Sequence, residues 1–62
     1  MVLEIFYNQG GVDVLPLEYL SRKGNARTLA RQISECDLVY ATRLRDKDDQ
    51  TEDFRDGKSE HE

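Results

Sequence analysis

The chain contains one cysteine, Cys36, and one histidine, His61, the side-chain types that most often supply nucleophiles and general bases. His61 lies in a strongly charged C-terminal segment that we expect to be disordered. It therefore lacks the rigid position that a Cys–His or Ser–His pair requires. We expect Cys36 to be a small buried residue at the end of a helix. The sequence thus predicts a protein that is not an enzyme.

Carboxylates are concentrated in DKDDQTED, which begins at Asp46 and invites comparison with a calcium-binding loop. An EF-hand loop starting there would need glycine at position 51 and glutamate at position 57, where the chain has Thr51 and Gly57. One cysteine and one histidine cannot form the usual zinc site. The glycine-containing stretches NQGG and KGN match neither the P-loop nor the dinucleotide-binding pattern. We expect no metal site and no cofactor.

Basic residues offer a different chemistry, because a row of them could bind the phosphates of a nucleic acid. A helix-turn-helix can be drawn from PLEYLSRK followed by ARTLARQI, or from ARTLARQI followed by DLVYATRL, although the latter places Asp37 near the phosphates. The alternative hypothesis is therefore a nucleic-acid-binding regulator that uses a basic helix edge. Its candidate residues are Arg22, Lys23, Arg27, Arg31, Arg43 and Arg45. The competing interpretation is that these residues simply form a solvated surface.

The charges divide the chain into two segments. Residues 1–45 carry six Lys/Arg and five Asp/Glu, which gives a net charge of +1. Residues 46–62 carry three Lys/Arg and eight Asp/Glu, which gives −5, so the whole chain has a net charge of −4. The second segment has no periodic apolar face, and Phe54 is its one large apolar side chain. High charge with little apolar surface is typical of disorder. We therefore predict a single domain at residues 1–45 and a disordered acidic tail at residues 46–62.

So short a domain has little capacity for a core. Below about 70–80 residues a single core rarely supplies more than ~3–5 kcal/mol of stability, so we expect the chain to form a homodimer or to bind a partner. The unpaired Cys36 favours a reducing compartment, and the sequence has neither an apolar stretch that could span a bilayer nor the features of a leader peptide. We expect a cytoplasmic protein.

The secondary-structure pattern predicts the elements that would hold these residues. VLEIFY, residues 2–7, is rich in strand-forming residues, NQGG is a turn, and VDVL resumes an extended pattern, so residues 2–15 should form a hairpin. Pro16 fits either an edge strand or the first turn of a short helix over residues 16–23, and the flanking charges favour the helix. Gly24 would end that helix.

The main helix should begin after Asn25 as its N-cap, with Ala26, Leu29, Ala30 and Ile33 on one apolar face. The stretch after Cys36 alternates like a third strand. The predicted fold is a small two-layer α+β domain: an N-terminal β-hairpin, one main helix that covers the sheet, a final strand, and the tail.

Two apolar residues of the first strand, Val2 and Phe6, lie on the face opposite Leu3 and Ile5. One helix cannot cover both faces of a sheet, so this second face should be open to a partner. Two roles are open for the acidic tail: it docks on a basic partner with Phe54 as its anchor, or it shields residues 1–45, of net charge +1, from nucleic acid. The leading hypothesis is therefore a non-enzymatic protein-binding regulator, an inhibitor or adaptor, with Val2, Phe6 and Phe54 as its contact residues.

Overall fold

The computed structural model describes residues 1–17 and 23–60. The strands are β1 (Val2–Tyr7), β2 (Val12–Pro16), β3 (Val39–Arg45), β4 (Thr51–Arg55) and β5 (Lys58–Ser59), and the helix between β2 and β3 is α1 (Lys23–Ser34). All neighbouring strands are antiparallel, in the order β2-β1-β3-β4-β5. The predicted α+β class, with an N-terminal hairpin, one main helix and a strand after it, is confirmed.

The core lies between α1 and one face of the sheet. Alternation along β1 buries Leu3 and Ile5, while α1 contributes Ala26 and Ala30, whose small side chains let the helix backbone approach the strands. The Thr42 hydroxyl donates a hydrogen bond to the Ala30 carbonyl at 2.9 Å, which satisfies a polar group that is fully buried. The helix contacts β3, β4, β1 and β5, and among the described residues it does not reach β2.

The predicted starts of the helices need correction. The main helix begins at Lys23, so Asn25 lies inside its first turn and is not an N-cap, and Gly24 is helical and does not end a preceding helix. Pro16 is the last residue of β2, at the edge of the sheet, as the edge-strand alternative required. Leu17 extends the hairpin pairing by donating to the Met1 carbonyl at 2.8 Å. The rest of the predicted short helix, residues 18–22, lies outside the described residues.

The prediction of a disordered tail is wrong for the strands at residues 51–59. Thr42 of β3 pairs with Phe54 of β4, and the Phe54 side chain is 0% exposed in the core. The radius of gyration is 10.7 Å, close to the value of about 10.6 Å for a compact chain of this length. The acidic segment is ordered because its charges meet partners on the rest of the chain: the Arg27 guanidinium binds the Glu52 carboxylate through two bonds of 2.8 Å.

The turn between β4 and β5 is fixed by backbone conformation and by a contact with the helix. Asp56 and Gly57 have φ values of 54° and 80°, the positive values that a two-residue type I′ hairpin turn requires at both positions. The Gly57 amide donates to the Ser34 hydroxyl at 2.9 Å, and that hydroxyl donates to the Arg31 carbonyl at 2.7 Å. The last residue of α1 therefore holds the C-terminal hairpin against the helix end.

Candidate binding surface

The face of the sheet opposite α1, here called the open face, is defined by strand register. Residues that are directly paired across antiparallel strands point to the same side, so the alternation that buries Leu3 and Ile5 turns their neighbours outward. The open face is formed by Val2, Glu4, Phe6, Val12, Val14, Pro16, Ala41, Arg43, Arg45, Thr51, Asp53 and Arg55. No described element packs over it.

The half of the open face formed by β1 and β2 is mostly apolar. We call its apolar residues the valine patch, which consists of Val2 and Phe6 on β1 together with Val12, Val14 and Pro16 on β2. Glu4 lies between Val2 and Phe6, directly opposite Val14, and its carboxylate is 3.4 Å from Arg45 Nη2. Val12 is 53% exposed and Val14 is 57% exposed, although valine is usually among the most buried residue types. Val2 and Phe6 are half-buried because they lie on an inner strand. The patch thus runs from the inside of the sheet to its free edge.

The other half of the open face is charged, and two of its arginines are paired with carboxylates. The Arg43 Nε donates to Asp53 Oδ1 at 2.8 Å, and Arg45 Nη2 lies 3.4 Å from Glu4 Oε1. Donating this hydrogen bond to Asp53 raises the pKa of the Arg43 guanidinium, so this side chain remains charged. Its guanidinium carbon also lies 5.5 Å from the centre of the Phe6 ring. The charged half therefore forms a neutralised border that partly covers Phe6.

Two open hollows flank these surfaces. One, of about 340 Å³, lies on the open face, where Phe6, Tyr40 and Asp53 are among its lining residues, and the guanidinium of Arg55 stands 4.4 Å from the centre of the Tyr40 ring. The other, of about 610 Å³, lies at the end of the first hairpin and is lined by Tyr7, Asn8, Gln9, Gly11 and Leu38.

Beside the second hollow, the Tyr7 hydroxyl donates to Asp13 Oδ2 at 2.7 Å. This hydrogen bond, with smaller contributions from desolvation and the negative charge of Asp13, raises the pKa of Tyr7 above its usual value. The bond connects β1 to β2 on the face that carries α1, next to the free edge of the sheet. Asp13 therefore presents a fixed negative charge at that edge.

The structure separates the three residues predicted to contact a protein partner. Val2 and Phe6 both lie on the open face, on either side of Glu4, and they are half-buried. Phe54 is fully buried on the other face, against the helix, so its predicted role as a partner anchor is wrong. The sequence reasoning missed Val12 and Val14, which are more exposed than Phe6. Their alternation with Asp13 in VDVL was the available signal, since it puts both valines on one face.

The six basic residues proposed for nucleic-acid binding do not form one surface. Arg43 and Arg45 lie on the open face, whereas Arg27 and Arg31 belong to the helix on the opposite side of the sheet. Arg27 holds Glu52, and the guanidinium of Arg31 lies 6.0 Å from the centre of the Phe54 ring. Lys23 is the first residue of the helix, and Arg22 lies outside the described residues.

The residues considered for catalysis and metal binding are also placed apart. Cys36 is exposed in the loop after α1, so the prediction that it is buried is wrong. The helix ends at Ser34, two residues earlier, and the chain turns outward there. His61 lies outside the described residues. Within residues 1–17 and 23–60, no group of three or more His, Cys, Asp or Glu side chains is arranged to hold a metal ion.

No helix in the described part of the chain combines the length and apolar character needed to cross a membrane. Comparisons with known protein families, with curated proteins and with solved structures find no match to this chain. The open face and the edge of the sheet beside it are the surfaces from which a function is inferred.

Proposed function

We propose that the protein is a small, non-enzymatic binding module, of the inhibitor or adaptor type, that holds another protein against its valine patch. The observation that carries this proposal is the 53% and 57% exposure of Val12 and Val14 on a sheet face that no described element covers. Exposed apolar residues that adjoin one another, with a polar border, are typical of protein interaction sites. The paired charges around Arg43 provide such a border.

The same observations give less support to nucleic-acid binding. Arg27, Arg43 and Arg45 each lie against a carboxylate, so a phosphate would have to displace an existing partner. The chain also carries a net charge of −4, which repels a polyanion at long range. An apolar surface gains more from a protein partner than from a sugar-phosphate backbone. Protein binding is therefore the function we propose, and the exposed lone cysteine agrees with a cytoplasmic setting.

Self-association is a separate question. The accessible surface of the chain is 4415 Å², and a compact monomer of 7.2 kDa exposes about 4,100 Å². The surface area is therefore close to that of a protein that is stable as a monomer. The homodimer remains a prediction. Sedimentation of the pure protein across a hundredfold range of concentration tests it, because the mass of a self-associating protein must rise with concentration.

The function is tested with two matched substitutions of exposed apolar residues. Val14→Glu places a charge in the valine patch, and Leu38→Glu places one on a loop residue that is 67% exposed and is not part of the patch. Leu38→Glu should unfold within about 0.5 kcal/mol of the wild type, because it changes a surface side chain. Val14→Glu sets its carboxylate directly opposite Glu4 and should lower the free energy of unfolding by up to about 1 kcal/mol. Chemical crosslinking in an extract of the producing cells, followed by titration of the recovered partner, measures binding.

We expect Val14→Glu to weaken partner binding by about tenfold or more, because it buries an unpaired charge in the interface, and Leu38→Glu to leave it unchanged. Phe6→Glu should act in the same direction as Val14→Glu. If Phe6→Glu unfolds the protein, Phe6 belongs to the core and is not a contact residue. Equal binding by the wild type and by Val14→Glu would exclude the valine patch as the contact surface.

A further inference from the structure

The free edge of β2 offers hydrogen-bonding groups as well as apolar side chains. In an antiparallel hairpin, alternate residues direct both backbone groups toward the neighbouring strand. Tyr7 donates to the Gly11 carbonyl and Leu17 donates to the Met1 carbonyl, both at 2.8 Å, so the odd-numbered residues of β2 face β1. The backbone groups of Val12, Val14 and Pro16 therefore point away from the sheet.

The side chains around these groups set what an added strand must carry. Val12 and Val14 lie on the open face, and Asp13 lies between them on the other face. A strand that pairs with β2 places its own side chains opposite each of these three in turn. Residues opposite the valines meet an apolar surface, and the residue opposite Asp13 meets a carboxylate whose Oδ2 is oriented by the Tyr7 hydroxyl.

A second copy of the chain fits this edge poorly. For antiparallel pairing of β2 with itself, one register sets Val12 opposite Val14 of the copy and brings the two Asp13 carboxylates face to face, which is repulsive. A second register sets Val14 opposite Val14 of the copy and Val12 opposite Pro16, which has no N–H to donate. A third register, with Val12 opposite Val12, sets Val14 opposite Gly10 in the turn, so only one residue of β2 pairs with the strand of the copy. Charged residues and prolines on an edge strand, here Asp13 and Pro16, disfavour its pairing with a second copy. A strand with a different sequence meets neither obstacle.

We propose that β2 receives an extended segment of a partner protein as an added strand, with apolar side chains opposite Val12 and Val14 and a lysine or arginine opposite Asp13. This inference rests on the proposed function, which it deepens by naming how the partner binds and what chemistry it presents. Main-chain hydrogen bonds to the two valines hold the segment, and the alternating side chains select it.

The test uses a synthetic peptide, acetyl-Gly-Thr-Val-Lys-Val-Thr-Gly-amide, titrated into the ¹⁵N-labelled full-length chain. A second peptide has glutamate in place of the lysine. A third peptide carries N-methyl groups on both of its valines, which removes the N–H donors that would reach the Val12 and Val14 carbonyls of the protein and keeps every side chain. Hydrogen exchange of the Val12 and Val14 amides reports edge pairing, and chemical shifts of their methyl groups report contact with the open face.

We expect the lysine peptide to slow exchange of both valine amides and to bind at least about threefold more tightly than the glutamate peptide, the ratio typical of cross-strand charge pairs. Asp13→Lys should reverse this preference, and Asp13→Asn should abolish it while changing the fold least. The N-methylated peptide should not protect the amides. Together these results would establish the strand addition and its charge selectivity.

Three results would overturn the inference. Equal binding of the N-methylated peptide, with shifted methyl groups and unprotected amides, would place the partner on the open face and leave the proposed function intact. Absence of binding by all peptides in the millimolar range would exclude the edge of β2 as a binding site. Failure of the proposed function is distinguished from this result by the crosslinking comparison of Val14→Glu with Leu38→Glu. Protection that rises with protein concentration alone would show that the occupant is a second copy.

Discussion

Phe54 provides the strongest test of the finding that the acidic C-terminal segment is part of the fold. Its side chain is 0% exposed and packs in the core on the strand that pairs with β3. Replacing a fully buried phenylalanine by alanine removes a large apolar side chain and leaves a cavity, at a typical cost of about 3–5 kcal/mol. A domain this small has a total stability of only ~3–5 kcal/mol, so Phe54→Ala should be largely unfolded.

A graded variant keeps the measurement quantitative. Phe54→Leu retains most of the side-chain volume, and it should lower the free energy of unfolding by about 1 kcal/mol, which remains measurable in a urea titration followed by circular dichroism. Phe6→Leu is the matched control, because Phe6 is half-buried on the open face, and it should cost less than Phe54→Leu. If both Phe54 variants unfold at the wild-type urea midpoint, the segment does not contribute to the core and the sheet ends at β3.

The remaining predictions concern two glycines, one tyrosine and nucleic acids. Gly57→Ala should destabilise the fold by more than about 1 kcal/mol in the same titration, because φ is positive there and a Cβ would lie 2.5 Å from Glu35 Oε1. Gly24→Ala, with open space around its Cβ, should instead stabilise the helix by up to about 1 kcal/mol. Tyr7 should lose its proton at a higher pH than an ordinary tyrosine, and Asp13→Asn should lower that pKa in an NMR titration. Because the pKa of Tyr7 is raised in the folded state, the stability that this bond contributes is present below the ordinary tyrosine pKa. It is lost as pH rises through the folded-state pKa. If the urea midpoint of unfolding does not fall over that pH range, the bond is contradicted. Random duplex and single-stranded oligonucleotides should show no salt-dependent binding at low ionic strength, and a steep loss of affinity with added salt would restore the nucleic-acid hypothesis.

The first two thirds of the fold could be read from local patterns. Strand-forming residues on both sides of NQGG indicate the first hairpin, and helical spacing from Ala26 to Ile33 indicates α1. The start of the helix was less predictable, because Gly24 and Asn25 are typical of a helix boundary and the structure places both inside the first turn. Such local preferences are weak next to the packing of an apolar helix face.

The C-terminal strands were missed because composition counts side chains without their partners. A segment with a net charge of −5 looks unable to fold, yet Glu52 meets Arg27 and Asp53 meets Arg43, each at 2.8 Å. Arg27 lies far from Glu52 in the sequence, so no local pattern connects them, and Arg43 meets Asp53 only once β3 and β4 are recognised as a hairpin. The dipeptide Asp-Gly at positions 56 and 57 was a readable signal, since it is among the strongest indicators of a two-residue hairpin turn.

The candidate surface was predicted only in part. Among the described residues the helix lies over Leu3 and Ile5 and no element covers the second face of β1, whose use as a contact surface stays a prediction. Which strand would form the edge could not be known from the sequence, because the order of the strands depends on the long-range pairing of β1 with β3. That order exposes Val12 and Val14.

The pairing of β1 with β3 also has a consequence for how the chain folds. The other strand pairs join neighbours in sequence, so each can close through a short loop, whereas Val2 pairs with Arg45 and Tyr7 with Val39. Closing a long loop costs entropy before any contact compensates for it. The rate-limiting step of folding should therefore be the docking of the N-terminal hairpin on β3, with α1 already formed and packed over the two strands. Substitutions at the β1–β3 pairing should slow folding, while substitutions in the outer hairpins should mainly speed unfolding.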